Sequence, residues 1–155
     1  MQVIPQEDRP TRDYVVTVFV VHQGRVALLY DDRSGTLSAI SGHIRPEELP
    51  GEAAVRVVLA QTGMPVELVT SCAPPWQQTQ LPRPEGLLLE TITPSHEHVA
   101  LVYFARPATS IRPRLSGEVP QLRWFDQEGL DGLDLPLFVG NWAARAVEIC
   151  GESSG

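Results

Sequence analysis

The chain has 155 residues, 43% of them apolar and 20% charged, and a formal net charge of −7. That length suits one domain with a proper core, and the acidic balance argues against the broad basic face that nucleic-acid binding needs. Every basic residue is arginine, a compositional bias to which no function attaches.

The N-terminus, MQVIPQEDRPTRDY, is polar and lacks the apolar core of a signal peptide. No apolar run is long enough to span a membrane. Cys72 and Cys150 make neither a disulfide framework nor a zinc set. The expectation is a cytoplasmic, reduced protein without nucleic-acid or membrane partners. It forms a single domain over residues 1–155, with its core at about 14–149.

Residues 1–12 read as a loose leader. Tyr14 to His22, YVVTVFVVH, is almost continuously apolar and β-branched, the mark of a strand buried on both faces. Gln23-Gly24 makes a turn, and Arg25 to Tyr30 supplies the second strand of a hairpin. After a turn at Asp31 to Gly35, Thr36 to Ser41 forms a short strand that delivers the chain to Gly42.

Gly42 to Met64, GHIRPEELPGEAAVRVVLAQTGM, reads as a loop followed by a helix. Pro50 occupies the first turn, where its missing N–H costs nothing, and Gly63 ends the helix in a left-handed cap. Glu47, Glu48 and Glu52 crowd the N-terminal end, which the helix dipole favours. Positions 57, 60, 61 and 64 share one face. With Val57, Ala60, Gln61 and Met64 on it, this face is expected to pack as an apolar stripe.

Pro65 to Ser71 reads as a strand and residues 73–85 as a long proline-rich surface loop. Gly86 to Ile92 and His96 to Ala105 are further strands, followed by another loop over 106–117. Val119 to Phe125 is a strand, and Phe138 to Cys150 an amphipathic helix. His96 and His98, two apart on a strand, project from one face and could chelate a metal. Two ligands are not a site, and polar residues at a strand entrance are the plainer reading. Trp124 and Trp142 read as core.

The spacing of Gly42, Glu48, Arg56, Val58, Gly63 and Met64 resembles the Nudix box, G-x5-E-x7-R-E-U-x-E-E-x-G-U with U bulky and apolar. Val57, Ala60 and Gln61 replace its three helical glutamates. The family's W-x-L-P-G-G lead-in is reduced to Leu37–Gly42, with only its second glycine kept. Glu118 to Trp124 is similar to the family's E-x5-W strand, and GLLLETITPSHEHVALVYFARP is similar to its middle strands. The resemblance runs over about residues 14–149. It implies an α/β/α sandwich with a mixed β-sheet, with the box helix beside a substrate cleft. It also implies cleavage of a nucleoside diphosphate linked to another group, with Mg2+ or Mn2+ as cofactor.

On this resemblance Glu48, Arg56 and Glu118 are the candidate catalytic residues, with Arg56 orienting Glu48. Gly42 and Trp76 are candidate binding residues, and Glu48 and Glu52 candidate metal ligands. Plainer roles stand beside these. Glu48, Glu52 and Arg56 make a solvated helix face with one ion pair, since Glu52 and Arg56 are four apart. Glu118 is a loop acid, and Trp76 anchors its loop. Three functions compete. The expected one is a Nudix-fold protein with lost or much reduced metal-dependent hydrolysis, which at most binds a nucleoside diphosphate-type small molecule. The second is an active divergent hydrolase that recruits Glu47, Glu48, Glu52, Glu97 or Glu118. The third is an association protein, such as a homodimer, that uses the neutralised face for packing.

Overall fold

Seven consecutive residues, Val15 to Val21, are buried within strand β1 (Thr11–His22). β1 runs parallel to β7 (His96–Pro107), from Thr11 opposite His96 to Val20 opposite Ala105. Strands covered on both faces have no solvent side, so their sequences are continuously rather than alternately apolar. Residues 8–70, 81–108 and 121–151 are described in the computed structural model of the protein.

The other strands build outward from this pair. β2 (Arg25–Asp31) pairs antiparallel with the C-terminal end of β1 and β4 (Ile40–His43) with its middle. β6 (Gly86–Thr93) and β5 (Val66–Val69) pair antiparallel with the two ends of β7. β3 (Thr36–Ser38) and β8 (Leu122–Phe125) pair with β2. Parallel and antiparallel pairs make the sheet mixed, as expected.

Helix α1 (Pro50–Thr62) covers one face of the sheet and α3 (Leu137–Gly151) covers the other. α1 begins at Pro50 and ends where Gly63, at φ 73°, donates its N–H to Leu59 O at 2.8 Å. It buries Ala53, Ala54, Val57 and Val58 in a core with Val16, Val18, Ile40 and Tyr103. α3 buries Val139, Ala143, Ala146 and Cys150 in a second core with Phe19, Val21, Val102 and Phe104. Each fully buried valine or phenylalanine is worth about 1.5–3 kcal/mol, so the two cores fix the helices on the sheet. The result is the α/β/α sandwich.

Several boundaries differ from the sequence expectation. The leader is shorter, because Thr11 to Asp13 already pair with His96 to His98. Backbone partners rather than apolar side chains define the start of that strand. Thr36 to Ser41 is two strands, since its halves pair with β2 and with β1. β7 extends into the expected 106–117 loop as far as Pro107, opposite Val66. Strand β5 is shorter than expected, and β8 begins at Leu122. A short helix, α2 (Gln127–Asp131), was not foreseen; the Asp126 carboxylate caps it by accepting from Gly129 N–H at 2.7 Å. Most of the expected loop at 73–85 and residues 109–117 of that at 106–117 lie outside the described residues. Among the described residues no helix is long and apolar enough to cross a membrane.

Candidate functional site

Glu48 sits in the turn before α1, facing Arg56 on the helix. Arg56 Nε donates to Glu48 Oε2 at 2.9 Å and Nη2 donates to Oε1 at 2.6 Å. Nη2 also donates to His43 O at 2.8 Å, and Arg45 N–H donates to Glu48 Oε1 at 2.9 Å. The Arg56 hydrogen bonds hold the Glu48 carboxyl well below its ordinary 4.5, at about 2. Arg56 therefore orients Glu48, as the resemblance implied, but both carboxylate oxygens are engaged. The pair clamps the 43–48 turn to the helix.

Glu52 does not form the i,i+4 pair with Arg56 that its spacing suggested. Its Oε2 accepts from Leu49 N–H at 2.9 Å, satisfying a donor at the helix start. The candidate metal pair Glu48 and Glu52 thus splits between two structural tasks.

The α1 face that carries glutamates in the Nudix pattern is built differently. Val57 is buried against β4, and a Cβ placed on Gly42 would lie 2.8 Å from Val57 Cγ2. Only glycine permits that approach, so Gly42 serves the packing of strand and helix. Met64 is also buried, but Ala60 and Gln61 are exposed. The expected apolar stripe therefore covers only part of this face. Gln61 Nε2 donates to Ser41 O at 2.7 Å, so a donor is aimed at the carbonyl where a cation would need acceptors. A hard divalent cation needs several oxygen ligands, and these residues do not fit Mg2+ or Mn2+.

Two hollows flank this region. One, about 370 Å³, lies between the sheet and the start of α3, with Thr17, Ser41, His43, Glu90, His98 and Phe138 in its wall. Its size lies within the usual small-molecule range. The other, about 590 Å³, lies towards α1, with Tyr14, Arg45 and Glu48 in its wall. A larger hollow of about 940 Å³, walled mainly by leucine, proline and valine, adjoins the start of α1 away from Gly42.

His43 belongs to the walls of both smaller hollows and to a cluster that spans three strands. Asp13 stands opposite His98 in the β1–β7 register, and His43 opposite Val15, so all three project from one face. Ligand atoms of Asp13, His43 and His98 lie within 4.8 Å of one another. Asp13 Oδ2 is 3.2 Å from His43 Nε2 and 3.2 Å from His96 Nε2. The His98 ring lies edge-on to those of His43 and His96, at 5.2 and 5.1 Å between centroids. Glu97 points the other way, to Arg12 at 3.0 Å.

Sequence reading found His96 and His98 but missed Asp13 and His43. Their placement depends on a parallel pairing that periodicity does not reveal. Glu118 and Trp76 lie outside the described residues.

Sheet, helices and the Gly42–Met64 segment define an α/β/α sandwich with a loop–helix beside the two smaller hollows. The NUDIX domain family model matches residues 10–146. The chain belongs to the NUDIX family. Among solved structures, a NUDIX-family hydrolase from Clostridium perfringens is 25% identical and superposes with a TM-score of 0.72, over 90% of this chain and 99% of that one. The MutT protein from Methanosarcina mazei Go1 is 18% identical with a TM-score of 0.63, over 96% and 99% of the two chains. A UDP-X diphosphatase is 12% identical with a TM-score of 0.58, over 90% and 61%. Among curated proteins none matches the sequence.

Proposed function

We propose that this protein is a NUDIX-fold binder of a nucleoside diphosphate-type small molecule in which Mg2+- or Mn2+-dependent hydrolysis is lost or much reduced. The carrying observation is the rebuilt α1 face, where Val57 closes on Gly42 and Gln61 donates to Ser41 O. Cleavage of a diphosphate by water needs a cation to neutralise the phosphates and activate the nucleophile. Glu48, the one box carboxylate retained, is neutralised by Arg56.

Recruitment of other carboxylates has less support. Glu52 is occupied at the helix start and Glu97 by Arg12. The 370 Å³ hollow beside Ser41 and Gly42 is the best seat for the ligand, with Thr17 and Ser41 to hydrogen-bond it and Phe138 to pack on it. A role in nucleotide chemistry also accords with the name of the UDP-X diphosphatase neighbour.

Calorimetric titration with UDP and UDP-glucose, with and without magnesium, tests the proposal alongside a phosphate-release assay. Binding that persists in chelator, with turnover at the background rate, is expected. Robust turnover that magnesium supports and chelator abolishes would overturn it.

A further inference from the structure

The Asp13–His43–His96–His98 cluster has no part in the proposed nucleotide site beyond lending His43 and His98 to the cleft wall. We infer that it is a binding site for a zinc-class divalent transition metal, held by imidazole nitrogen and one carboxylate oxygen at the N-terminal end of the central strand pair.

The donor set selects the metal. Imidazole suits zinc, cobalt, nickel and copper, whereas magnesium and calcium take oxygen ligands. Three of the chain's four histidines meet here, with one carboxylate between them. Tetrahedral ligands at about 2.0–2.1 Å from zinc lie roughly 3.3 Å from one another. The two Asp13 Oδ2 to histidine Nε2 distances, both 3.2 Å, match that edge.

The outer shell is also in place. His96 Nδ1 is 2.7 Å from Thr11 Oγ1, and that hydroxyl donates to Ser95 O at 3.2 Å. A Zn2+ on His96 Nε2 would leave Nδ1–H to donate to that hydroxyl. An outer-shell hydrogen bond that fixes the tautomer of a ligating histidine is a regular feature of metal sites.

The ligands stand on paired strands rather than on a loop, so little chain must be ordered when the ion binds. The cluster is partly open to solvent, which gives the metal a way in. Glu90, opposite His98 on β6, closes the same row on the cleft side.

The test uses full-length protein stripped with chelator and desalted. Zn2+ is titrated by competition with a chromophoric chelator, and Co2+ is followed through the visible bands of a nitrogen–oxygen complex. One Zn2+ per chain is expected, undisturbed by a large excess of Mg2+. His98→Ala and Asp13→Asn should each weaken binding roughly tenfold or more, and Thr11→Val about tenfold through the outer shell. His22→Ala, which alters the one histidine outside the cluster, should leave affinity unchanged. His43→Gln, at an exposed strand end, provides a second ligand variant if His98→Ala fails to fold. The site is refuted if wild type binds no zinc, if ligand variants bind it as wild type does, or if magnesium displaces it. Because the readout is metal affinity, its failure is distinguishable from failure of the nucleotide reading.

Discussion

Restoring the missing carboxylates with Val57→Glu, Ala60→Glu and Gln61→Glu together should create a divalent-cation site on α1 at a large cost in stability. The three positions contribute unequally. Val57 is 3% exposed, so its change gives up about 2 kcal/mol of apolar burial. It also sets a carboxylate against Gly42, with a desolvation penalty of about 1–3 kcal/mol. Gln61→Glu removes the donor to Ser41 O and leaves two oxygens facing each other, about 1 kcal/mol. Ala60 is exposed, and its change alone should stay within about 0.5 kcal/mol. Repulsion among the new carboxylates adds to these terms and raises at least one of their pKa values.

The triple variant in chelator should therefore lose about 4–6 kcal/mol, or roughly 10–20 °C in Tm. Magnesium at about 100 times its Kd returns about 2.7 kcal/mol to the folded state, while wild type responds little. Thermal melts by circular dichroism in chelator and in a magnesium series measure both effects. Equal magnesium responses in the two proteins would show that this face is not where the cation site was lost. A variant as stable as wild type in chelator would show that Val57 is not packed as described.

Gly42→Ala should destabilise by about 1–3 kcal/mol, because the stiff Val57 side chain cannot withdraw from the new methyl. Adding Val57→Ala should recover part of that loss, and strict additivity in the double-mutant cycle would exclude the contact. The depressed Glu48 carboxyl stabilises the fold fully above about pH 4.5, and that contribution drains away as the pH falls towards 2. Denaturant melts of wild type and Glu48→Gln should thus differ most near neutrality and converge in acid; a gap constant with pH contradicts the Arg56 pairing. Burial pushes the Cys150 thiol up to about 11. In a Cys72→Ser background a thiol reagent at pH 8 should label native protein roughly a hundredfold more slowly than denatured protein, and equal rates would place the thiol at the surface.

What the sequence disclosed was local. Pro50 and Gly63 bound the box helix as expected because first-turn proline and left-handed glycine are properties of single positions. Strand β1 was legible because burial on both faces leaves an unbroken apolar run. Its first three residues were not, since Thr11, Arg12 and Asp13 are polar and gain their place from partners on β7. Glu48 shows the same limit. Spacing along the helix offered Arg56 the neighbour Glu52, whereas the turn at Arg45 to Leu49 folds Glu48 back onto the guanidinium. Asp13 and His43 became visible only when register was known. Val57 was rightly seen as unable to ligate, but its close fit to Gly42 required the distance between strand and helix.

The central pair also dictates an order of assembly. Thr11 and His96, opposite one another in β1 and β7, are 85 residues apart. Antiparallel partners lie much nearer: β2 follows β1 after a two-residue turn, and β4 returns within about twenty residues. Closing the long loop costs more chain entropy than closing the short ones, and contacts between distant residues slow folding. During synthesis β1, β2 and β4 leave the ribosome well before β7 exists. One edge of β1 can be satisfied early, while the other waits as an unpaired strand edge exposed to association with other chains. Loop-closure entropy thus predicts that the parallel seam closes late in folding, and a metal that joins Asp13 to His98 would act as a clasp fastened only after that seam has closed.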